Sequence, residues 1–234
     1  MGEIMASFVP SASLFLGIIP ALILLYISIK GYEHHAKPKN IYVSFIVGIV
    51  IGFIASIIEL LTSADVGLSF IILYPILEQL FKVIILNARR LQEKQATVVY
   101  GLVLGLGFGA ISTPVSLIIG NIQGGDYTLL GLVVIGSTGI IMFQGATGVL
   151  IGYGVYTNKL WTYVVFSVLI HIPITVGVFL SSFLTFSYAQ IVVVLCMFFY
   201  GAFLYWYATR RIMFRLTSEG LRRKRTKKDI DIKT

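Results

Sequence analysis

Apolar residues run through this chain in blocks of roughly 20, the length an α-helix needs to cross the hydrocarbon core of a bilayer. The blocks predict seven membrane-spanning helices: Phe8–Ile29, Ile41–Leu61, Leu68–Leu86, Ala96–Ile119, Leu129–Tyr156, Leu160–Leu180 and Ala189–Thr209. The fifth is long for one crossing and is expected to be tilted, kinked or partly interfacial. Met1–Ser7 contains Glu3 and no Lys or Arg. It therefore lacks the basic region of a signal peptide, and the first block reads as a retained helix.

The polar segments between the blocks alternate in charge. Lys30, Lys37 and Lys39 follow the first span, Arg89, Arg90 and Lys94 the third, Lys159 the fifth, and a basic tail the seventh. The intervening connections carry no Lys or Arg, only Asp65 and Asp126. The positive-inside rule then places the N-terminus outside and the C-terminus in the cytosol. Trp161, Trp206 and Tyr207, near the cytosolic ends of their spans, fit an aromatic belt.

Composition agrees. Of 234 residues, 57% are hydrophobic and 12% charged, whereas about a quarter of a soluble domain is charged. The expected architecture is all-α: a multi-pass protein of the cell membrane, with residues 1–209 as the transmembrane domain and 210–234 as a basic cytosolic tail. That tail, with Arg222-Arg223-Lys224-Arg225 and Lys227-Lys228, accounts for the net charge of +8. The charge is therefore no sign of a nucleic-acid partner. The tail reads as an inside-facing anchor, where each basic side chain near an anionic leaflet contributes about 1 kcal/mol. With Ile212, Phe214, Leu216 and Leu221 interspersed, its first part can lie along the interface. The single cysteine, Cys196, excludes an intrachain disulfide.

A few polar residues break the apolar blocks. The third span contains Tyr74-Pro75-Ile76-Leu77-Glu78-Gln79-Leu80-Phe81-Lys82. A charge at the bilayer centre costs roughly 2.5–3.5 kcal/mol, so such residues turn inward. Glu78 and Lys82 are spaced i,i+4 with the acid first, the better orientation for pairing on one helix face. Pro75 lacks an N–H and is expected to bend the helix one turn earlier. Gln144 near the middle of the fifth span and His171 near the middle of the sixth fall at the same depth as Glu78. Gly101, Gly105 and Gly109 share a face of the fourth span, and Gly145, Gly148 and Gly152 flank Gln144 in the fifth. These glycine faces read as packing surfaces.

Peptide hydrolysis inside a membrane needs a base for water, a group for the oxyanion and a wet cavity. Glu78 suits the first role and His171 the second; Gln144 can donate a hydrogen bond but cannot shuttle a proton. The plainer account is a structural Glu78–Lys82 pair with His171 as an interhelical hydrogen bond. A small transporter or channel is a third class compatible with Gly/Pro-interrupted spans. A zinc site would want three protein ligands. Within the spans only Glu78 and His171 qualify, since Glu59 sits near the outer end of its span and His34 and His35 fall in a cytosolic loop. No metal or other cofactor is expected.

Four stretches resemble a known family in content and order: Leu77-Glu78-Gln79-Leu80-Phe81-Lys82, Tyr100 to Gly109, Gly152-Tyr153-Gly154 and Leu169-Ile170-His171-Ile172. They are similar to PrsW-type proteins and the related YhfC proteins. Both belong to the wider superfamily of CAAX-processing and bacteriocin-processing intramembrane proteases, which is itself similar to the Aph subunit of γ-secretase. The resemblance covers residues 74–175. It implies that Glu78 matches the family's first acid, Lys82 the basic residue after it, Phe108 the aromatic of the second motif and His171 the final histidine. At four positions the chain departs from the pattern. Gln79 replaces the second acid, and Ser112 stands where an acid or histidine follows Phe108. Gln144 (or Phe143) replaces a histidine, and Thr175 stands where Asn or Asp is common. The resemblance thus implies a degenerate site, kept as a non-catalytic scaffold or substrate-binding module. An active endopeptidase using Glu78 and His171 is the alternative. Beyond the lipid bilayer, the implied partner is a membrane protein or peptide, with anionic lipid against the tail.

Overall fold

The computed structural model describes residues 2–30, 32, 36–66, 69–92, 95–119, 127–183 and 188–214. Among them are seven α-helices and no strand: α1 (Gly2–Ile29), α2 (Pro38–Val66), α3 (Phe70–Leu86), α4 (Ala96–Ile119), α5 (Tyr127–Tyr156), α6 (Leu160–Phe183) and α7 (Tyr188–Tyr207). A π-helical turn, Ala208–Met213, continues α7 and carries Arg210 and Arg211. The basic tail beyond Phe214, like His34 and His35, lies outside the described residues. Each helix falls on one of the apolar blocks. Helix is the form in which such blocks satisfy every backbone group without water.

Four helical stretches, Pro38–Glu59, Gly131–Tyr156, Leu160–Leu180 and Tyr188–Met213, are long and apolar enough to cross a membrane. The exterior suits lipid. Tyr26, Phe53, Ile84, Trp161, Phe199 and Phe203 all point outward with more than a third of their surface exposed. Such a continuous apolar exterior is foreign to soluble monomers.

Helix α4 is the axle. From Ala96 to Ile111 almost every side chain is buried, because α4 is apolar on all sides and is enclosed by α1, α2, α3 and α5. Glycine sets how closely α5 approaches it. A Cβ on Gly101 would strike the Gly148 carbonyl, one on Gly148 would strike the Gly101 carbonyl, and Gly105 abuts the carbonyl of Gln144. Helix α7 meets α5 in the same way, with Gly201 against the backbone of Gly139. The glycine faces are packing surfaces, and the α4–α5 contact fixes where Gln144 sits.

Helix α5 runs unbroken for 30 residues and contains no proline. Two residues past its end lies Asn158, the one non-glycine residue with positive φ (57°) among the described residues. Asparagine tolerates that left-handed conformation, which lets the Thr157 and Lys159 amides bond back to Tyr153 and Gly154 at 2.9 Å each. The resulting three-residue turn folds α6 directly against α5. His171 is thereby returned to the level of Gln144.

Candidate functional site

Three helices deliver five polar side chains to one buried layer. On α3, Lys82 lies four residues after Glu78 and three after Gln79, so all three share a face. Gln144 enters from α5 and His171 from α6. Each of the five exposes no more than 2% of its surface.

Lys82 anchors the hydrogen-bond pattern, because an ammonium has only donors. It gives one hydrogen to Gln79 Oε1 at 3.3 Å, one to Gln144 Oε1 and one to Thr147 Oγ1 at 2.7 Å. With their oxygens held toward the ammonium, both amides must aim their NH2 groups away from it. Gln144 Nε2 donates to Glu78 Oε2 at 2.6 Å. Gln79 Nε2 lies 2.8 Å from His171 Nδ1, which must therefore accept. The imidazole proton is left on Nε2, 3.4 Å from Glu78 Oε2. The ring closes. Two polar paths run from ammonium to carboxylate: a hydrogen-bonded one through Gln144, and one through Gln79 and His171 whose last step is the 3.4 Å contact to Glu78. The Phe108 ring lies 5.0 Å from Lys82 Nζ, adding a cation–π contact. Phe143 packs on the His171 ring at 4.8 Å between centroids.

The geometry corrects one expectation. Among the described residues no direct ion pair joins Glu78 to Lys82; the Gln144 amide stands between them. The reason is reach. Gln144 arrives at the same level from α5, and its amide offers an acceptor to the base and a donor to the acid, whereas a carboxylate could serve only the base.

No family model, curated protein or solved structure matches the chain. Its site must therefore be read from its own atoms.

Beside the ring lies a cavity of about 280 Å³, with Glu59, Tyr74, Glu78, Ser112, Gln144, His171 and Thr175 on its polar side. It extends from the ring toward the end where α2 finishes and α5 begins. Ser112 and Thr175 line it, yet their hydroxyls serve their own helices. Ser112 donates to the Gly109 carbonyl at 2.8 Å and Thr175 to the His171 carbonyl at 3.5 Å. The structure thus gathers Glu78, Gln79, Lys82, Gln144 and His171 into the ring, sets Phe108 against it, and leaves Ser112 and Thr175 on the cavity wall.

Three contributors were missed in the sequence reading. Thr147 lies three residues after Gln144, and Tyr74 four before Glu78; both same-face spacings could have found them. Glu59 was set aside for its depth, but the cavity reaches that depth. The Tyr74 hydroxyl lies beside both carboxyl groups, those of Glu59 and Glu78. Among the described residues no three His, Cys, Asp or Glu side chains lie close enough together to hold a metal ion.

Proposed function

We propose that this chain is a seven-span integral membrane protein, N-terminus outside and C-terminus in the cytosol. In this reading it is a scaffold that binds a membrane-embedded polypeptide without cleaving it. The proposal extends the resemblance to PrsW-type proteins and their degenerate motifs. One observation carries it: both nitrogens of His171 are engaged, Nδ1 by Gln79 and Nε2 by Glu78 Oε2. An imidazole held this way has no lone pair to offer a water, and the carboxylate oxygen facing it already accepts from Gln144 with the imidazole N–H 3.4 Å away. Gln79 and Gln144 keep the ring satisfied while carrying no exchangeable charge. That is the arrangement of a structural polar layer, stable in the absence of substrate.

The second reading, an active endopeptidase with Glu78 as base and His171 at the oxyanion, is favoured by one feature. Both side chains also border the cavity, so water admitted there would reach the carboxylate.

Purified protein in lipid nanodiscs, titrated with a labelled transmembrane peptide and followed by mass spectrometry, separates the two. The scaffold reading expects saturable binding with the peptide intact after prolonged incubation. Cleavage that disappears in Glu78→Gln would overturn it in favour of the protease. A peptide neither bound nor cut would overturn both.

A further inference from the structure

The charges around the cavity do not cancel. Glu78 is offset by Lys82 through the ring, accepts from Gln144, and has His171 Nε2 3.4 Å away. Glu59, on the opposite side of Tyr74, has no cation within ion-pair distance among the described residues; its partner there is the Tyr74 hydroxyl. That hydroxyl has one hydrogen and two carboxyl groups beside it, so it can donate to only one of them. The rest of the cavity offers Glu59 no Lys or Arg: its far wall is Ile174, Val178, Val194 and Met197, with the neutral Ser137 and Gln190 as further polar lining. A carboxylate against such a wall is costly unless it holds a proton or meets a cation.

We propose that this cavity binds a primary ammonium group on an apolar stem, with Glu59 as its counter-ion. The ammonium supplies the donors that Tyr74 cannot, and the stem lies on the aliphatic wall of α6 and α7. Size narrows the class. At about 280 Å³ the space falls just below the ~300 Å³ at which small-molecule pockets begin. One side chain or a short alkylamine fits, whereas a helix or a peptide backbone does not. Two sources present that chemistry: a lysine side chain of a membrane-embedded polypeptide, or an aminolipid headgroup. Only the first rests on the scaffold reading above.

The test uses the full chain in nanodiscs of phosphatidylcholine, a lipid with no primary amine. Four probes are titrated: n-octylamine, n-octanol, a polyleucine transmembrane peptide with one central lysine, and its all-leucine counterpart. The ammonium site expects octylamine to bind at least about tenfold more tightly than octanol. Glu59→Gln removes that preference, a loss of roughly thirtyfold for a desolvated charge contact, and Glu59→Asp keeps most of it. Equal binding of octylamine and octanol to the unaltered protein overturns the proposal even if no variant folds. So does a preference that survives in folded Glu59→Gln, or a Glu59 that simply keeps its proton. If both peptides bind equally and the amine preference is absent, the scaffold reading stands and this one falls. If octylamine is preferred and neither peptide binds, the ammonium site stands and the scaffold reading falls. Competition by added phosphatidylethanolamine then assigns the site to a lipid headgroup, and preference for the lysine peptide assigns it to a side chain.

Discussion

Replacing Lys82 with methionine keeps the length of the side chain but removes the only positive charge in the layer. Three acceptors, Gln79 Oε1, Gln144 Oε1 and Thr147 Oγ1, lose their donor. The Glu78 carboxylate, 2% exposed, loses the charge that balances it. Removing one member of a buried pair costs about 3–5 kcal/mol, because the other is left uncompensated. Against a total stability of ~5–15 kcal/mol that is a large fraction. The informative variant is the double one, Lys82→Met with Glu78→Gln. It leaves three amides and an imidazole that can rotate to satisfy one another. Hydrogen bonds between membrane helices average only about 0.6 kcal/mol, so the double variant is expected to lose about 1–2 kcal/mol. Glu78→Gln alone strands the ammonium at a similar cost of about 3–5 kcal/mol, so the coupling between the two sites is at least about 4 kcal/mol, although no direct ion pair joins them. Reversible unfolding in mixed micelles, followed by the fluorescence of Trp161 and Trp206, measures all corners of the cycle. Repeating the cycle in Gln144→Leu should shrink the coupling, since one of the two paths is cut. Additive effects, with a coupling below about 0.5 kcal/mol, would refute the ring as a cooperative unit.

Other consequences are direct. Gly148→Val places a side chain against the Gly101 carbonyl and should cost about 1–3 kcal/mol or more in the same assay. Gly131→Ala meets nothing within 4 Å and should leave the transition unmoved. Tyr205→Phe removes a hydroxyl that bonds Ser28 at 2.6 Å and the Leu24 carbonyl at 3.3 Å. It should lower stability by about 0.6–1.7 kcal/mol by loosening α1 from α7. Lys159→Cys, made with Cys196→Ser, should react with an impermeant maleimide only when the cytosolic face is accessible; labelling of intact cells would invert the proposed orientation.

Much of this architecture could be read from the chain because a bilayer permits so few solutions. Apolar length placed all seven helices, although α1 starts six residues earlier than expected and α2 extends three and five residues beyond its expected ends, and depth along each span matched Glu78, Gln144 and His171 before any contact was known. Rotation about the helix axis was harder to read. Residues 143–152 of α5 are buried on every side, so no polar stripe marks the face that meets α3. Nothing in the sequence therefore says that the Gln144 amide lies between the acid and the base. Glu59 was overlooked for a related reason. Its depth was right, but depth alone does not reveal that a cavity descends from the ring to meet it. Charge alternation carried the orientation argument, and the glycine spacing was enough to identify the α4–α5 contact.

Helix α3 is made before the helix that completes its polar layer. Two of the three acceptors of Lys82, Gln144 and Thr147, reside on α5. Until α5 docks into the glycine notches of α4, the ammonium has only Glu78 and Gln79 of its own helix nearby. Lys82 sits four residues from the last residue of α3, about 6 Å along the axis, within range for a lysine to stretch its amine to the headgroups. In the seven-span reading proposed above, the newly inserted helix can thus park its charge at the water boundary. It draws that charge inward only when α5 brings the amide and hydroxyl that receive it, so closing the α4–α5 seam and burying the lysine become one event in the birth of the protein.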